Sequence, residues 1–205
     1  MSRSTAPADE ATVSDRLRAA FKGVLEPAGR WLIRLGLSPN ALTLIGFGGN
    51  VVAAYLLARG WFLAGGLVFL ALSAFDALDG TVARLSQRVT RFGAFLDSTL
   101  DRYAELAVFA GLLYFYLGTG DVMTTMVLFA AAAGSVLVSY TRARAEALGF
   151  TAKGGLLTRA LRVIILGLAL VLGFPAVGLW IIAILANFTA LQRIWIVYRQ
   201  GGLEE

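Results

Sequence analysis

Four aspartates lie inside or at the ends of apolar stretches and are the first candidates for chemistry in this sequence. They are Asp76, Asp79, Asp97 and Asp101. An ionised carboxylate inside an apolar membrane helix is costly, so such residues usually face protein or water and mark a functional site. Spacings of three and four residues place each pair on one face of a helix. We therefore predict that two helices present four carboxylates to one another.

The residue types that are missing narrow the chemistry of this cluster. The chain has no cysteine and no histidine, which excludes disulfides, thiolate metal sites, a thiol nucleophile and an imidazole base. Ligands that are all oxygen select hard divalent cations, with Mg²⁺ expected first and Mn²⁺ next. Two such ions, about 3.5–4 Å apart, would match the arrangement that enzymes use for phosphoryl displacement.

Glycines and arginines stand next to the carboxylates. Gly80 and Gly93 would let a helix backbone or a ligand phosphate come close. Arg84, Arg88 and Arg91 fall in the connection between the two pairs, where they could hold a phosphate as well as bias topology. Taken singly, such an aspartate can be a helix–helix hydrogen bond and such an arginine a topology signal. Their combination favours a phosphate-handling site.

The elements that must position these residues are membrane helices. Of the 205 residues, 58% are hydrophobic and 15% charged, whereas soluble domains average about 45–50% apolar and about 25% charged residues. Six apolar stretches are each near the roughly 20 residues that a spanning helix needs. They cover about residues 40–59, 62–84, 93–117, 122–146, 158–174 and 177–198. We predict an all-α integral membrane protein with six transmembrane helices.

An N-terminal segment, residues 1–38, precedes the predicted six-helix domain of residues 39–200. Within it, residues 13–35 have apolar side chains at helical spacing with basic residues between them, which predicts an amphipathic helix in the membrane interface. The apolar positions are Leu17, Ala20, Phe21, Val24 and Leu25, and the basic ones include Arg16, Lys22 and Arg30. Residues 201–205 form a tail to which we assign no role.

The 18 Lys and Arg residues predict the orientation in the membrane. Among the connections that follow the first, third and fifth apolar stretches, Arg59 is the single basic residue. Because basic residues stay on the cytoplasmic side, we expect both termini and the carboxylate site to be cytoplasmic in a multi-pass plasma-membrane protein. The net charge of +5 then reflects topology, and we expect no nucleic-acid partner.

The carboxylates, glycines and Arg84 form one ordered motif. It is Asp76-x2-Asp79-Gly80-x2-Ala83-Arg84-x8-Gly93-x3-Asp97-x3-Asp101. This motif resembles the signature of the CDP-alcohol phosphotransferases, membrane enzymes that transfer a phosphatidyl-type group from a CDP-linked donor to an alcohol and release CMP. The resemblance also implies a homodimer embedded in membrane lipids. Small residues at 130–135 permit close helix packing, within or between subunits.

The resemblance implies roles for individual residues. Asp76, Asp79 and Asp97 would hold the metals, and Asp101 would contact the second metal and deprotonate the acceptor hydroxyl. Seven residues would bind the donor, CDP-diacylglycerol. They are Asn40, Thr43, Gly80, Ala83, Arg84, Thr90 and Gly93.

A second basic group bears on the acceptor. The run Tyr140-Thr141-Arg142-Ala143-Arg144-Ala145-Glu146 resembles the branch of the family whose acceptor is inositol 1-phosphate. By that resemblance, Arg142, Arg159 and Arg193 would hold the acceptor phosphate, since guanidinium pairs well with phosphate. The branch pattern has an acidic residue and a proline around Arg159, and both are missing here. Glycerol 3-phosphate therefore stays open as the acceptor.

A non-enzyme interpretation is a divalent-cation transporter, because intramembrane carboxylates also line cation pathways. Transporters place such groups near the bilayer midplane, often with inverted repeats. The predicted carboxylates cluster at one interface and the sequence shows no repeat. The enzyme is the favoured interpretation.

Overall fold

The computed structural model describes residues 23, 26–86, 89–152 and 154–201, with the side chains of residues 74, 76, 77 and 79 left out. All regular structure in this part of the chain is helical, which confirms the all-α prediction. Seven helices follow one another. They are α1 (residues 26–34), α2 (Pro39–Ala58), α3 (Phe62–Leu85), α4 (Arg91–Thr119), α5 (Val122–Ala147), α6 (Arg159–Val171) and α7 (Pro175–Gly201).

Three helices, α2, α5 and α7, are long and apolar enough to cross a membrane by length and composition. Many large apolar side chains of the bundle point outward, among them Leu44, Phe129 and Phe188, each more than half exposed. Such a surface is typical of a membrane protein, whose outer face contacts lipid. Of the predicted amphipathic helix at 13–35, α1 is described, and residues 13–22, 24 and 25 lie outside the described part of the chain.

Local capping explains where several helices begin. Ser38, Thr90, Asp121 and Thr158 each precede a helix, and each accepts a hydrogen bond through its side chain from the backbone N–H three residues later. These are the residue types that satisfy the unpaired N–H groups of a first turn. Hydrogen bonds from the Thr124 side chain and backbone N–H hold the pKa of the Asp121 carboxyl below its ordinary value, which keeps it an anionic cap.

The fifth predicted stretch, 158–174, is longer than the helix that forms there. α6 has 13 residues, about 20 Å at the usual rise of about 1.5 Å per residue. Its end is set by Gly173, whose φ of 79° is a conformation that glycine adopts readily, and by Pro175, which begins α7. The apolar stretch of 158–174 thus contains this helix and the turn that follows it.

The helices of the bundle pack as two groups, and α6 contacts both. α2 packs on α3 and α4, α5 packs on α7, and α6 lies against α3 and α7. Close approaches depend on glycine: Gly111 of α4 faces the Ala54 backbone of α2, where a Cβ would clash, and Gly134 of α5 faces Ala186 and Asn187 of α7. The small residues at 130–135 thus serve packing within the chain.

Candidate active site

A cavity of about 210 Å³ opens between the first turn of α2, the C-terminal part of α3 and the first turn of α4. Its walls are small or polar residues together with one carboxylate and one guanidinium. They are Pro39, Asn40, Thr43, Gly80, Ala83, Arg84, Val89, Thr90, Gly93, Ala94 and Asp97. The structure therefore brings together all seven residues predicted to contact the donor.

The electrostatics of this cavity suit an anion. The N-terminal turns of α2 and α4 both line it, through Asn40 and Gly93. Helix N-termini present unpaired N–H groups and a partial positive charge, which favour phosphate. Arg84 adds a full positive charge, and its Nη2 donates to Thr81 Oγ1 at 3.2 Å. Two helix ends and one arginine thus converge on a single space.

Close packing at the first turn of α4 explains why residue 93 is a glycine. A Cβ at this position would lie 2.9 Å from Thr90 Oγ1 and 3.1 Å from Asn40 Oδ1. At Gly80 the nearest of the described atoms to a Cβ would be Arg84 Nη1, at 3.7 Å. The described side chains therefore leave room at Gly80, which a ligand could occupy.

The predicted carboxylates fall on two helices that border this cavity. Asp97 lines it from α4, and Asp101 follows one turn later. Asp76 and Asp79 lie in α3, four residues and one residue before Gly80. Their side chains are not among those that the structure describes. Among the described side chains, no three acidic residues form a metal-binding group. Asp97 and Asp101 supply oxygen donors alone, the type that Mg²⁺ and Mn²⁺ prefer.

Two arginines hold the carboxylate of Asp101. Arg159 Nη2 of α6 lies 2.7 Å from Asp101 Oδ1, and Arg102 Nη1 lies 3.3 Å from Asp101 Oδ2. Arg102 also donates to the Ser98 carbonyl oxygen at 2.9 Å. Asp101 is thus oriented from both sides, and its partner Arg159 is one of the arginines predicted to bind the acceptor.

A second ion pair lies one turn further along both helices. Arg162 donates from Nε and Nη2 to the two oxygens of Glu105, at 2.7 and 2.9 Å, and the arginine side chain is 2% exposed. The sequence interpretation did not single out Glu105. The sequence does contain a signal for this residue: Glu105 is a further carboxylate in the apolar helix, four residues after Asp101 and on the same face.

The remaining predicted acceptor arginines come from α5 and α7. Arg193 is 4% exposed. It donates from Nε to the Gly154 carbonyl oxygen at 3.0 Å and from Nη1 to the Val138 carbonyl oxygen. Its charged neighbours are Arg142, Arg162 and Glu146.

Arg142 is about half exposed and pairs with Glu146 at 2.8 Å. Arg193 binds the Val138 carbonyl oxygen, one turn before Arg142 on α5, so the two arginines are close in space. Arg159 contacts the Asp101 carboxylate, one turn before the Arg162–Glu105 pair.

Hydrogen bonds at three positions hold the connection between α5 and α6 against α7. Thr189 Oγ1 accepts from Leu157 N at 3.1 Å, and Arg193 holds Gly154. Gln200 exchanges two hydrogen bonds with the backbone of Thr151, at 3.0 and 2.7 Å. These contacts fix the position of the connection relative to α7.

Comparison with known proteins identifies related sequences over nearly the whole chain. The family model described as CDP-alcohol phosphatidyltransferase matches residues 36–192. A phosphatidylinositol phosphate synthase of Streptomyces avermitilis is 38% identical, covering 94% of this chain and 85% of that protein. An archaetidylinositol phosphate synthase of Pyrococcus horikoshii is also 38% identical, covering 88% of this chain and 94% of its own length.

Solved structures agree with these relatives. The crystal structure of Mycobacterium tuberculosis phosphatidylinositol phosphate synthase with CDP-DAG bound has a TM-score of 0.81 and 34% identity, and the match covers 86% of this chain and 94% of that one. A second structure of the same enzyme, in complex with manganese and citrate, has a TM-score of 0.80, with 34% identity and coverage of 85% and 89%. The similarity thus extends to an enzyme seen with a CDP-linked lipid and with a divalent metal.

Proposed function

The chain belongs to the CDP-alcohol phosphatidyltransferase family and is a CDP-alcohol phosphotransferase, and we propose that it transfers the phosphatidyl group of CDP-diacylglycerol to inositol 1-phosphate. The products are phosphatidylinositol phosphate and CMP. The observation that carries the proposal is the cavity between α2, α3 and α4, where all seven expected donor contacts meet Asp97. Membership of this family replaces the cation-transporter interpretation.

The cavity binds the CDP part of the donor in this proposal. The helix N-termini at Asn40 and Gly93, together with Arg84, face the pyrophosphate, and Thr43 and Thr90 supply hydroxyl groups for the nucleotide. The small residues Gly80 and Ala83 leave the backbone of α3 accessible. The two acyl chains remain in the bilayer, which explains a site at the ends of helices.

Two divalent cations, Mg²⁺ in the first place and Mn²⁺ as an alternative, would be held by the four predicted aspartates, Asp76, Asp79, Asp97 and Asp101. The donor set fits, because the described members supply oxygen ligands alone beside an anion-binding cavity. A related enzyme was crystallised with manganese. Such ions, when bound, would neutralise the pyrophosphate and stabilise the charge that develops on the leaving CMP.

Asp101 is the general base in this proposal. It accepts the proton of the acceptor hydroxyl while the hydroxyl oxygen bonds to the phosphorus that carries the diacylglycerol. The bond from that phosphorus to the CMP oxygen breaks. Arg102 and Arg159 hold the carboxylate in a fixed orientation, as a base must be within reach of the proton that it removes.

Three arginines bind the acceptor phosphate in this proposal: Arg142, Arg159 and Arg193. Their charges suit a dianionic phosphate monoester, whereas free inositol would leave them without an anion. Two relatives have different lipid parts in their names, phosphatidyl and archaetidyl, but both names contain the inositol phosphate group. This shared group favours inositol 1-phosphate over glycerol 3-phosphate.

The proposal also gives the protein its place in the membrane. Residues 39–200 form one domain, α2 to α7 cross the plasma membrane as six spans, and both termini and the site are cytoplasmic. α6, with 13 residues, is the shortest of the six proposed spans. The enzyme acts as a homodimer, as its family resemblance implies.

Release of CMP tests the proposal. Purified protein is incubated with CDP-diacylglycerol and Mg²⁺, and with inositol 1-phosphate, glycerol 3-phosphate or free inositol, and the lipid product is identified by mass spectrometry. We expect CMP and phosphatidylinositol phosphate with inositol 1-phosphate, and no reaction after EDTA treatment. Reaction with glycerol 3-phosphate alone would overturn the acceptor but retain the chemistry, and EDTA-resistant turnover would refute the metal sites.

A further inference from the structure

Two ion pairs connect α4 to α6 across the side of the site where the acceptor is proposed to bind. α4 packs mainly on α2 and α5, and α6 packs mainly on α3 and α7. The two ion pairs therefore connect helices that otherwise pack on different partners. Asp101 pairs with Arg159, and Glu105 pairs with Arg162. The pairs follow the same order along both helices, four residues apart on α4 and three on α6.

The two pairs differ in burial and geometry. The inner pair is bidentate, with both oxygens of Glu105 engaged, and its arginine is 2% exposed. In the outer pair, Arg159 is 30% exposed and shares the Asp101 carboxylate with Arg102. A buried guanidinium without its carboxylate is strongly unfavourable, so the inner pair is fixed. The outer pair is open to exchange with a ligand.

We infer that Glu105 is a positioning residue for the acceptor, an inference that rests on the proposed function. By clamping Arg162, it fixes the first turn of α6 relative to α4. Arg159 lies one turn before Arg162 and is thereby directed at Asp101 and at the acceptor phosphate. Glu105 also supplies the negative charge that Arg162 requires, which leaves Asp101 available to the reacting hydroxyl.

The charge of Glu105 and its positioning role predict effects of opposite sign. Glu105 pairs with the buried Arg162, one turn after Arg159, so removing its carboxylate makes the proposed acceptor side more positive. If Glu105 acted through its charge alone, its loss would strengthen binding of an anionic acceptor. If it positions Arg162 and Arg159, its loss weakens acceptor binding despite the added positive charge. The direction of the change in the acceptor KM therefore distinguishes the charge effect from the positioning role.

The test measures KM for inositol 1-phosphate and for CDP-diacylglycerol in Glu105→Gln and Glu105→Asp. In Glu105→Gln we expect the acceptor KM to rise about tenfold, the effect of losing a charge-assisted hydrogen bond, with the donor KM unchanged. Glu105→Asp keeps the charge on a shorter side chain and should recover part of the loss. Glu26→Gln removes the same charge from the exposed pair with Arg30 and should change the acceptor KM less than about twofold. A lower acceptor KM, or equal rises in both KM values, would overturn the inference.

A double-mutant cycle keeps the inference testable if Glu105→Gln folds poorly. In an Arg162→Gln background, Glu105→Gln should add less than about twofold to the acceptor KM, because the pair acts as a unit. Additive effects would show that Glu105 acts by another route. If the wild-type enzyme uses glycerol 3-phosphate instead, the proposed acceptor fails while the same cycle still tests Glu105. If wild type releases no CMP with any acceptor, the proposed function itself fails.

Discussion

The proposed donor and acceptor sides of the site are built in different ways. The donor side is a cavity made of helix ends and small residues, with Arg84 as the basic residue among those that line it. The acceptor side consists of charged side chains from α4, α5, α6 and α7, held in ion pairs and by backbone carbonyls. Backbone groups can recognise a pyrophosphate common to a whole family, whereas side chains are easily exchanged. The acceptor side is therefore where members of the family can differ.

Asp101 follows Asp97 of the cavity wall by one turn and pairs with Arg159, and replacing it should have the largest effect. In Asp101→Asn, kcat should fall by about 10²–10⁴-fold, the contribution of a general base, while CDP-diacylglycerol still binds. Rapid-quench or steady-state CMP release and a separate donor-binding assay would measure the two. A variant that kept more than about a tenth of the wild-type rate would contradict the role of Asp101 as base.

Arg193→Ala should affect the acceptor side alone. The loss of a charged hydrogen-bond donor costs about 1.5–3 kcal/mol, so the acceptor KM should rise about ten- to a hundredfold with little change in the donor KM. Arg193→Lys is the matched variant: it keeps the charge but loses the fork that holds Gly154 and Val138. Equal changes in both KM values would make Arg193 a purely structural residue.

Gly80→Ala should affect the donor side alone. Among the described atoms, the nearest to the added methyl group is Arg84 Nη1 at 3.7 Å, so the fold should accept it and gain about 0.5–1 kcal/mol of helix stability. The donor KM should still rise about tenfold, because the methyl group takes space that the ligand needs. Gly48→Ala, in α2 with no atom within 4 Å of the added Cβ, should stabilise without changing KM. Identical kinetics in the two variants would remove Gly80 from the donor site.

The smallest effect is expected from the helix caps. Thr90→Ala removes the cap of α4 and should cost about 1 kcal/mol of stability, with a modest rise in the donor KM because Thr90 lines the cavity. Asp121→Ala removes the cap of α5 and should lower the Tm without altering the kinetics. Thermal unfolding and CMP release on both variants would compare them. A kinetic change in Asp121→Ala would mean that capping, and not the cavity, explains Thr90.

Much of the donor side could be predicted from the sequence because its residues are close together along the chain. Gly80 and Asp97 flank one short connection, and α2 contributes its first turn. The acceptor side could not be predicted to the same depth. Glu105 and Arg162 are 57 positions apart, and their pairing depends on how α6 lies in the bundle. The apolar stretch of 158–174 likewise continues through the turn at Gly173, so hydropathy alone does not give the length of α6.

The most direct test of this division compares acceptors in the wild-type enzyme and in Arg193→Ala. The value of kcat/KM for inositol 1-phosphate should exceed that for free inositol by about a thousandfold or more, because buried donors left unpaired reject an analogue that lacks their partner. In Arg193→Ala the ratio should collapse while the donor KM holds. A wild-type ratio near one, or a ratio that Arg193→Ala leaves intact, would contradict an acceptor side built around the phosphate.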